Sequence, residues 1–190
     1  MYVETIGTLI DSLNLEKVIL CGHSLGGAIA QSYYLFNQKK VEGLILIGSG
    51  ARLRVSPQIF ESLKNNFQAY LESIKAGAFY RKTDKKIMNA FIKEVEKTTP
   101  EVVYTDFSIC DQFDVFSDIK SGKIKIPCLI ICGQDDKLTP PKYSIFFHDN
   151  IKGSDFTTIK DAGHMIMLEK PEEVNQSIEK FIQNLNADHS

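Results

Sequence analysis

An α/β fold built on a mostly parallel sheet, with a run of helices inserted into it, is predicted by three features of this 190-residue sequence. Short apolar runs at residues 17–21, 41–47 and 126–132 are rich in Val, Ile and Leu, as strands covered on both faces require. The stretches between these runs carry helical rather than alternating periodicity. From about Ala51 to Phe116 helical patterns follow one another with no strand between them, which marks an insertion.

Taken in order, residues 2–13 place Ile6, Leu9, Ile10 and Leu13 on one helical face, and Asn14-Leu15-Glu16 turns the chain into the first strand. Val18-Ile19-Leu20-Cys21 then runs into Gly22-His23-Ser24-Leu25-Gly26-Gly27 and a helix reaching about Phe36. Small residues stand where strand and helix come too close for side chains, so Ser24 is held out at the apex of a tight turn. The helix starting at Leu25 aims N–H groups and a positive dipole end at the same place. Val41 to Ile47 is the second strand, ending in Gly48-Ser49-Gly50.

The inserted helices open at Ser56-Pro57, an N-cap followed by Pro at the first helical position. Phe60, Leu63, Phe67, Leu71 and Ile74 form one stripe, Met88, Phe91, Ile92 and Val95 a second, and Thr99-Pro100 starts a third helix with Val103 and Phe107. Such stripes are ordinary core or the inner face of a lid, and Phe67, Phe91 and Phe107 are candidates to set the width of a pocket. The sheet resumes at Ile126 to Cys132, followed by the polar loop Gly133-Gln134-Asp135-Asp136-Lys137-Leu138-Thr139-Pro140 and a helix from about Lys142 to Phe147. Phe156 to Ile159 is a weaker strand leading to Asp161-Ala162-Gly163-His164, and Pro171 opens a last amphipathic helix before a frayed tail from Asn186 to Ser190. These boundaries divide the chain into a core, residues 1–51 and 117–190, and a helical cap, residues 52–116.

Composition narrows the classes of function. A formal net charge of -2 with no basic stripe argues against nucleic acid or an anionic membrane as partner and favours a small molecule. Cys21, Cys128 and Cys132 fall in apolar strands and Cys110 near a helix end, the pattern of reduced packing cysteines. His23, His148, His164 and His189 show no metal-ligand spacing, so no metal is expected. No run approaches the ~20 apolar residues of a membrane span, and the N-terminus lacks a basic segment before an apolar block, so the default expectation is the cytoplasm.

Ser24, Asp136 and His164 each lie just beyond the carboxyl end of an expected parallel strand, where ligand sites of open α/β sheets form. A serine hydroxyl is a weak nucleophile until an imidazole takes its proton, and a carboxylate on the far ring nitrogen fixes the tautomer. Asp135 is the rival acid, Asp111 and Asp114 are outside candidates, His23 is a packing or hydrogen-bonding neighbour, and Arg52 and Arg54 read as solvated charges.

In this order of Ser, Asp and His, and in the Gly22-His23-Ser24-Leu25-Gly26 elbow, the sequence resembles the α/β-hydrolase superfamily. Gly133-Gln134-Asp135-Asp136 with Pro140 is similar to its acid loop, Gly163-His164 with Pro171 to its histidine loop, and Gly48 to Arg54 to the start of the cap in lipase/esterase-like and enol-lactonase-like members. The resemblance implies a triad of Ser24, Asp136 and His164, the Leu25 N–H as an oxyanion donor, no cofactor, and a small, mainly apolar ester or lactone as substrate. A carbon–carbon bond hydrolase and a cofactor-free haloperoxidase share the fold. The family sheet also has strands before the nucleophile strand, about four of them and on the order of 70 residues, whereas sixteen residues precede the first strand here and no His-Gly dipeptide supplies a second oxyanion donor. Two expectations follow: a serine hydrolase, or a non-catalytic or partner-dependent fragment that pairs through the strand at 17–21, with a second copy or with an N-terminal segment.

Overall fold

The computed structural model describes residues 1–188 and contains one all-parallel sheet whose strands lie in chain order: β1 (Val18–His23), β2 (Val41–Ile47), β3 (Cys128–Gly133) and β4 (Asp155–Ile159). The two inner strands alternate their side chains between two separate apolar cores. Leu44, Leu46 and Ile130 face α1 (Tyr2–Ser12), α2 (Leu25–Phe36) and α8 (Pro141–Asn150), meeting Ile10, Tyr33, Tyr34 and Phe147. Ile45, Ile47, Leu129 and Ile131 face the opposite side, where α10 (Pro171–Asp188) brings Val174, Phe181 and Leu185. Both faces are therefore covered by helices, which is why β2 and β3 are continuous in Ile and Leu with no polar alternation.

Between β2 and β3 lie α3 (Pro57–Asn65), α4 (Phe67–Gly77), α5 (Lys85–Val95), α6 (Pro100–Gln112) and the short α7 (Phe116–Lys120). The first four share a core of their own around Leu63, Tyr70, Leu71, Ile74 and Phe79. The ends of this segment meet at its base, where the Val115 N–H donates to the Ala51 carbonyl at 2.8 Å and Arg52 pairs with Asp114 at 2.7 Å.

Several expectations need correction. The stripe from Phe60 to Ile74 belongs to two helices, because Asn66 ends α3 and caps α4, its side chain accepting the Ala69 N–H at 3.0 Å. Ser56 precedes α3 but caps no backbone N–H, its hydroxyl going to the Gln58 side chain instead. On α1 only Ile6 and Ile10 of the expected face pack inward, while Leu9 and Leu13 are exposed. Cys21 is exposed rather than buried, since among the described residues β1 has a strand neighbour on one side only. The last helix continues to Asp188 without fraying at Asn186, and His189 and Ser190 lie outside the described residues. A helical turn, α9 (Ile166–Glu169), follows His164 where no element was expected.

Candidate active site

The turn from β1 into α2 puts Ser24 at φ 51° and ψ -116°, a left-handed backbone that a serine rarely adopts and that costs about 1–3 kcal/mol. Packing makes the turn this tight: a Cβ on Gly22 would collide with the carbonyl group of Gly26, so the strand closes onto the helix only because Gly22 lacks a side chain. The peptides on either side of Ser24 are pinned to the end of β2, with the Ser24 N–H donating to the Ile47 carbonyl at 3.0 Å and the Ser49 hydroxyl to the Ser24 carbonyl at 2.9 Å. Ser24 occupies the N-cap position of α2, yet its hydroxyl caps no helix N–H. Strained backbone around an uncommitted hydroxyl is the reverse of what a structural N-cap serine provides.

The loops after β3 and β4 bring Asp136 to His164. Asp136 Oδ2 accepts from His164 Nδ1 at 2.9 Å and from the Thr139 hydroxyl at 2.7 Å, while Oδ1 accepts the N–H groups of Leu138 and Thr139, both at 2.9 Å. Both side chains are buried, Asp136 being 4% and His164 5% exposed. Burial by itself would push the Asp136 carboxyl up, but the bonds from His164 and Thr139 outweigh it and hold the carboxyl below the usual carboxylate range. The carboxylate accepts at Nδ1, so that nitrogen carries the proton and Nε2 is left as a base. Asp135 has an exposed side chain and contributes only its N–H, to the Ala162 carbonyl. Asp111 receives the Val55 N–H and Asp114 pairs with Arg52 and Arg54, so neither outside candidate approaches the histidine and neither arginine is a free charge.

His23 packs beside His164, with ring centroids 4.6 Å apart, and its Nε2 lies 2.9 Å from the His164 carbonyl. Burial first, and the neighbouring His164 second, lower its pKa to about 4. It is neutral near neutral pH, and because a carbonyl can only accept, Nε2 carries the proton and donates. Thr139, which touches both Asp136 and His164, was not singled out from sequence, although a Thr three residues after an Asp at a strand end is a turn pattern that could have flagged it.

Ser24 and His164 line one cavity of about 460 Å³. The Ser24 hydroxyl makes no hydrogen bond to His164 here. The walls come largely from the helical segment, with Leu53, Ile59, Tyr70, Phe91, Phe107 and Met165 giving a mainly apolar lining, and Lys137 and Arg54 standing among them. Phe67 is not part of this wall and stacks on Tyr70 at 5.6 Å. A larger groove of about 800 Å³ runs between β4 and α10, is lined mostly by polar residues and holds none of the candidate site residues. Among the described residues no three His, Cys, Asp or Glu side chains gather as a metal-ligand set, and no helix is long and apolar enough to cross a membrane.

Known proteins share this fold. A solved thermophilic esterase superposes with a TM-score of 0.88 at 39% identity, covering 97% of this chain and 73% of that one. An esterase from Exiguobacterium antarcticum superposes at 0.87 with 21% identity, covering 95% of this chain and 72% of its own, a likeness of fold. Among curated proteins, a proline iminopeptidase from Saccharolobus solfataricus is 26% identical over 90% of this chain and 63% of its own length. A 2-hydroxy-6-oxononadienedioate/2-hydroxy-6-oxononatrienedioate hydrolase from Paraburkholderia xenovorans is 23% identical over 92% of this chain and 65% of its own. The chain thus spans somewhat less than two thirds of the length of these curated relatives. The family model described as alpha/beta hydrolase fold matches residues 1–171, which takes in the elbow, the acid loop and the histidine loop, and the chain belongs to that family.

Proposed function

We propose that the protein is a serine hydrolase that cleaves a small, mainly apolar carboxylic ester or lactone through an acyl-enzyme. The observation that carries this reading is His164, bonded to Asp136 at 2.9 Å, lining the same apolar cavity as a strained serine whose hydroxyl caps nothing. In this scheme the Ser24 Oγ attacks the ester carbonyl carbon as its proton passes to His164 Nε2. Asp136, ionised and bonded to Nδ1, holds the ring in the required tautomer and stabilises the imidazolium. The Leu25 N–H, at the first position of α2 and without a partner among the described residues, faces the developing oxyanion together with the helix dipole. The imidazolium returns its proton to the departing alkoxide. Water, deprotonated by the same nitrogen, then attacks the acyl carbon and frees the carboxylic acid and Ser24.

Residues 52–116 serve as the cap in this reading, since they supply much of the cavity wall and an apolar wall selects acyl groups by size. The experiment is labelling with a fluorophosphonate probe and turnover of p-nitrophenyl esters. Label on Ser24, lost together with turnover in Ser24→Ala, is the expected result; turnover surviving in Ser24→Ala refutes the assignment.

One observation favours a second reading, in which activity needs a partner. β1 ends at the proposed nucleophile yet pairs, among the described residues, only with β2, so its other edge presents unpaired backbone groups able to take a strand from another chain or segment. A monomer by light scattering with full esterase turnover refutes that reading.

A further inference from the structure

From the hydrogen bonds around α9 we infer that Glu169 is a positioning residue for His164, a latch that fixes the histidine loop and ties it to the end of α4; this rests on the triad reading above. The carboxylate closes back over its own turn. Oε2 accepts the N–H of Gly163, the residue before His164, at 2.7 Å, while Oε1 accepts the Tyr80 N–H at 2.6 Å and the Thr83 hydroxyl. One side chain thus holds two segments more than 80 residues apart in sequence.

The two segments are in direct backbone contact at this point. The N–H groups of His164 and Met165 both donate to the Ala78 carbonyl, at 2.7 and 3.1 Å, and a Cβ on Gly163 would come within 2.6 Å of the Tyr80 nitrogen. Three backbone groups beside the imidazole are therefore held by partners beyond the Gly163-His164 segment: the Gly163 N–H by Glu169, the His164 N–H by Ala78, and the His164 carbonyl by His23. Asp136 sets the ring's tautomer, while these bonds help to set where the Cα of His164 stands. Glu169 is central among them because it alone has side-chain freedom to bond both partners, and an ionised carboxylate takes three donors at once where a neutral amide cannot. The same bonds connect His164 to α4, whose Tyr70, Ile74 and the following Ala78 line the cavity, so the pocket wall and the base move as one piece.

Glu169→Gln is the informative change. Its single oxygen is held by the Tyr80 and Thr83 donors, which turns the amide nitrogen, itself a donor, toward the Gly163 N–H. The His164 side of the latch opens and the other side stays closed. Thr83→Val does the converse, removing one donor and leaving the Gly163 bond. Turnover of p-nitrophenyl acetate is measured per active site titrated with a fluorophosphonate, beside amide exchange of residues 163–165. The expected result for Glu169→Gln is a kcat per titrated site about 10- to 100-fold lower, KM nearly unchanged, and faster exchange at 163–165, the size typical of losing a group that orients a functional side chain. Thr83→Val gives a smaller drop of the same kind. A Glu169→Gln enzyme with wild-type kcat per titrated site overturns the inference even if its Tm falls, because a merely structural group lowers the number of active sites and not the rate at each. Should Glu169→Gln fail to fold, Thr83→Val decides: a lower kcat per titrated site supports the latch and an unchanged one overturns it. Absence of label on Ser24 in the wild type defeats the hydrolase reading, and the latch with it, before any variant is compared.

Discussion

Replacing Asp136 by Asn tests the triad most sharply, because the structure says which way the new amide must point. Two backbone donors, the N–H groups of Leu138 and Thr139, converge on Oδ1 at 2.9 Å each. If the amide nitrogen took that place both donors would lose their acceptor, at about 1–3 kcal/mol apiece. The oxygen therefore stays with the loop and the NH2 group faces Thr139 and His164. The Thr139 hydroxyl rotates to accept, but His164 Nδ1 accepts only by giving up its proton, which moves to Nε2 and faces Ser24. A base with its proton on the wrong nitrogen loses about 10⁴ in kcat, or about 5 kcal/mol of barrier. The assay is kcat for p-nitrophenyl acetate at mildly alkaline pH, with Asp135→Asn as the exposed control at wild-type activity. Stability gives a second readout. Asp136 titrates lower in the folded chain than in the unfolded one, so its contribution is present above the ordinary carboxylate pKa and fades as pH falls through the folded value. The Asn variant lacks this part of the acid-side decline. An Asp136→Asn enzyme within about tenfold of wild type, or a larger loss in Asp135→Asn, refutes the reasoning.

Three further outcomes are expected. Ser24→Gly abolishes ester turnover as Ser24→Ala does, but is more stable to urea than the alanine variant by about 1 kcal/mol, because glycine releases the strain at φ 51° that alanine keeps; equal midpoints contradict this. Phe91→Ala and Phe107→Ala raise the ratio of long-chain to short-chain ester activity, while Phe67→Ala, behind Tyr70, changes it less; identical chain-length profiles in all three make these aromatics plain core. His23, with its pKa lowered from 6.5 to about 4, is protonated in the unfolded chain before the folded one, so stability drops as pH falls from about 6.5 to about 4, by about 3 kcal/mol at most. His23→Gln, whose amide N–H still reaches the His164 carbonyl, flattens that part of the stability curve, and an unchanged slope assigns the loss to other groups.

The sheet was legible because β2 and β3 are buried on both faces, and an unbroken Ile/Leu run has little other use in a chain this short. Its edges were less so. Cys21 sits in the same kind of apolar run but ends up exposed, since burial of a strand depends on neighbours that its own sequence does not encode. The break at Asn66 was hidden because the apolar spacing across it remains helical, and only the capping bond to Ala69 reveals two helices. Asp136 and His164 could be placed at strand ends from sequence, and the Thr139 turn beside Asp136 was within reach of it; the bonds of Glu169 were not, because its partners lie six and more than eighty residues away.

Backbone conformation separates position from purpose. Among the described residues three that are not glycine have positive φ: Asn14, Ser24 and Asp161. Asn and Asp tolerate the left-handed region because their short polar side chains bond locally, and Asn14 and Asp161 stand where α1 and β4 hand over to loops. Turn formation accounts for both. Serine has no such tolerance, and ψ -116° at Ser24 lies outside the left-handed helical well altogether. The strain persists because the Ile47 carbonyl, the Ser49 hydroxyl and the fit of Gly22 against Gly26 fix the peptides on both sides, so the surrounding structure determines the turn and the side chain does not. The strained turn sets one hydroxyl in the lining of an apolar cavity that is also lined by a buried imidazole, whose Nδ1 is bonded to a carboxylate.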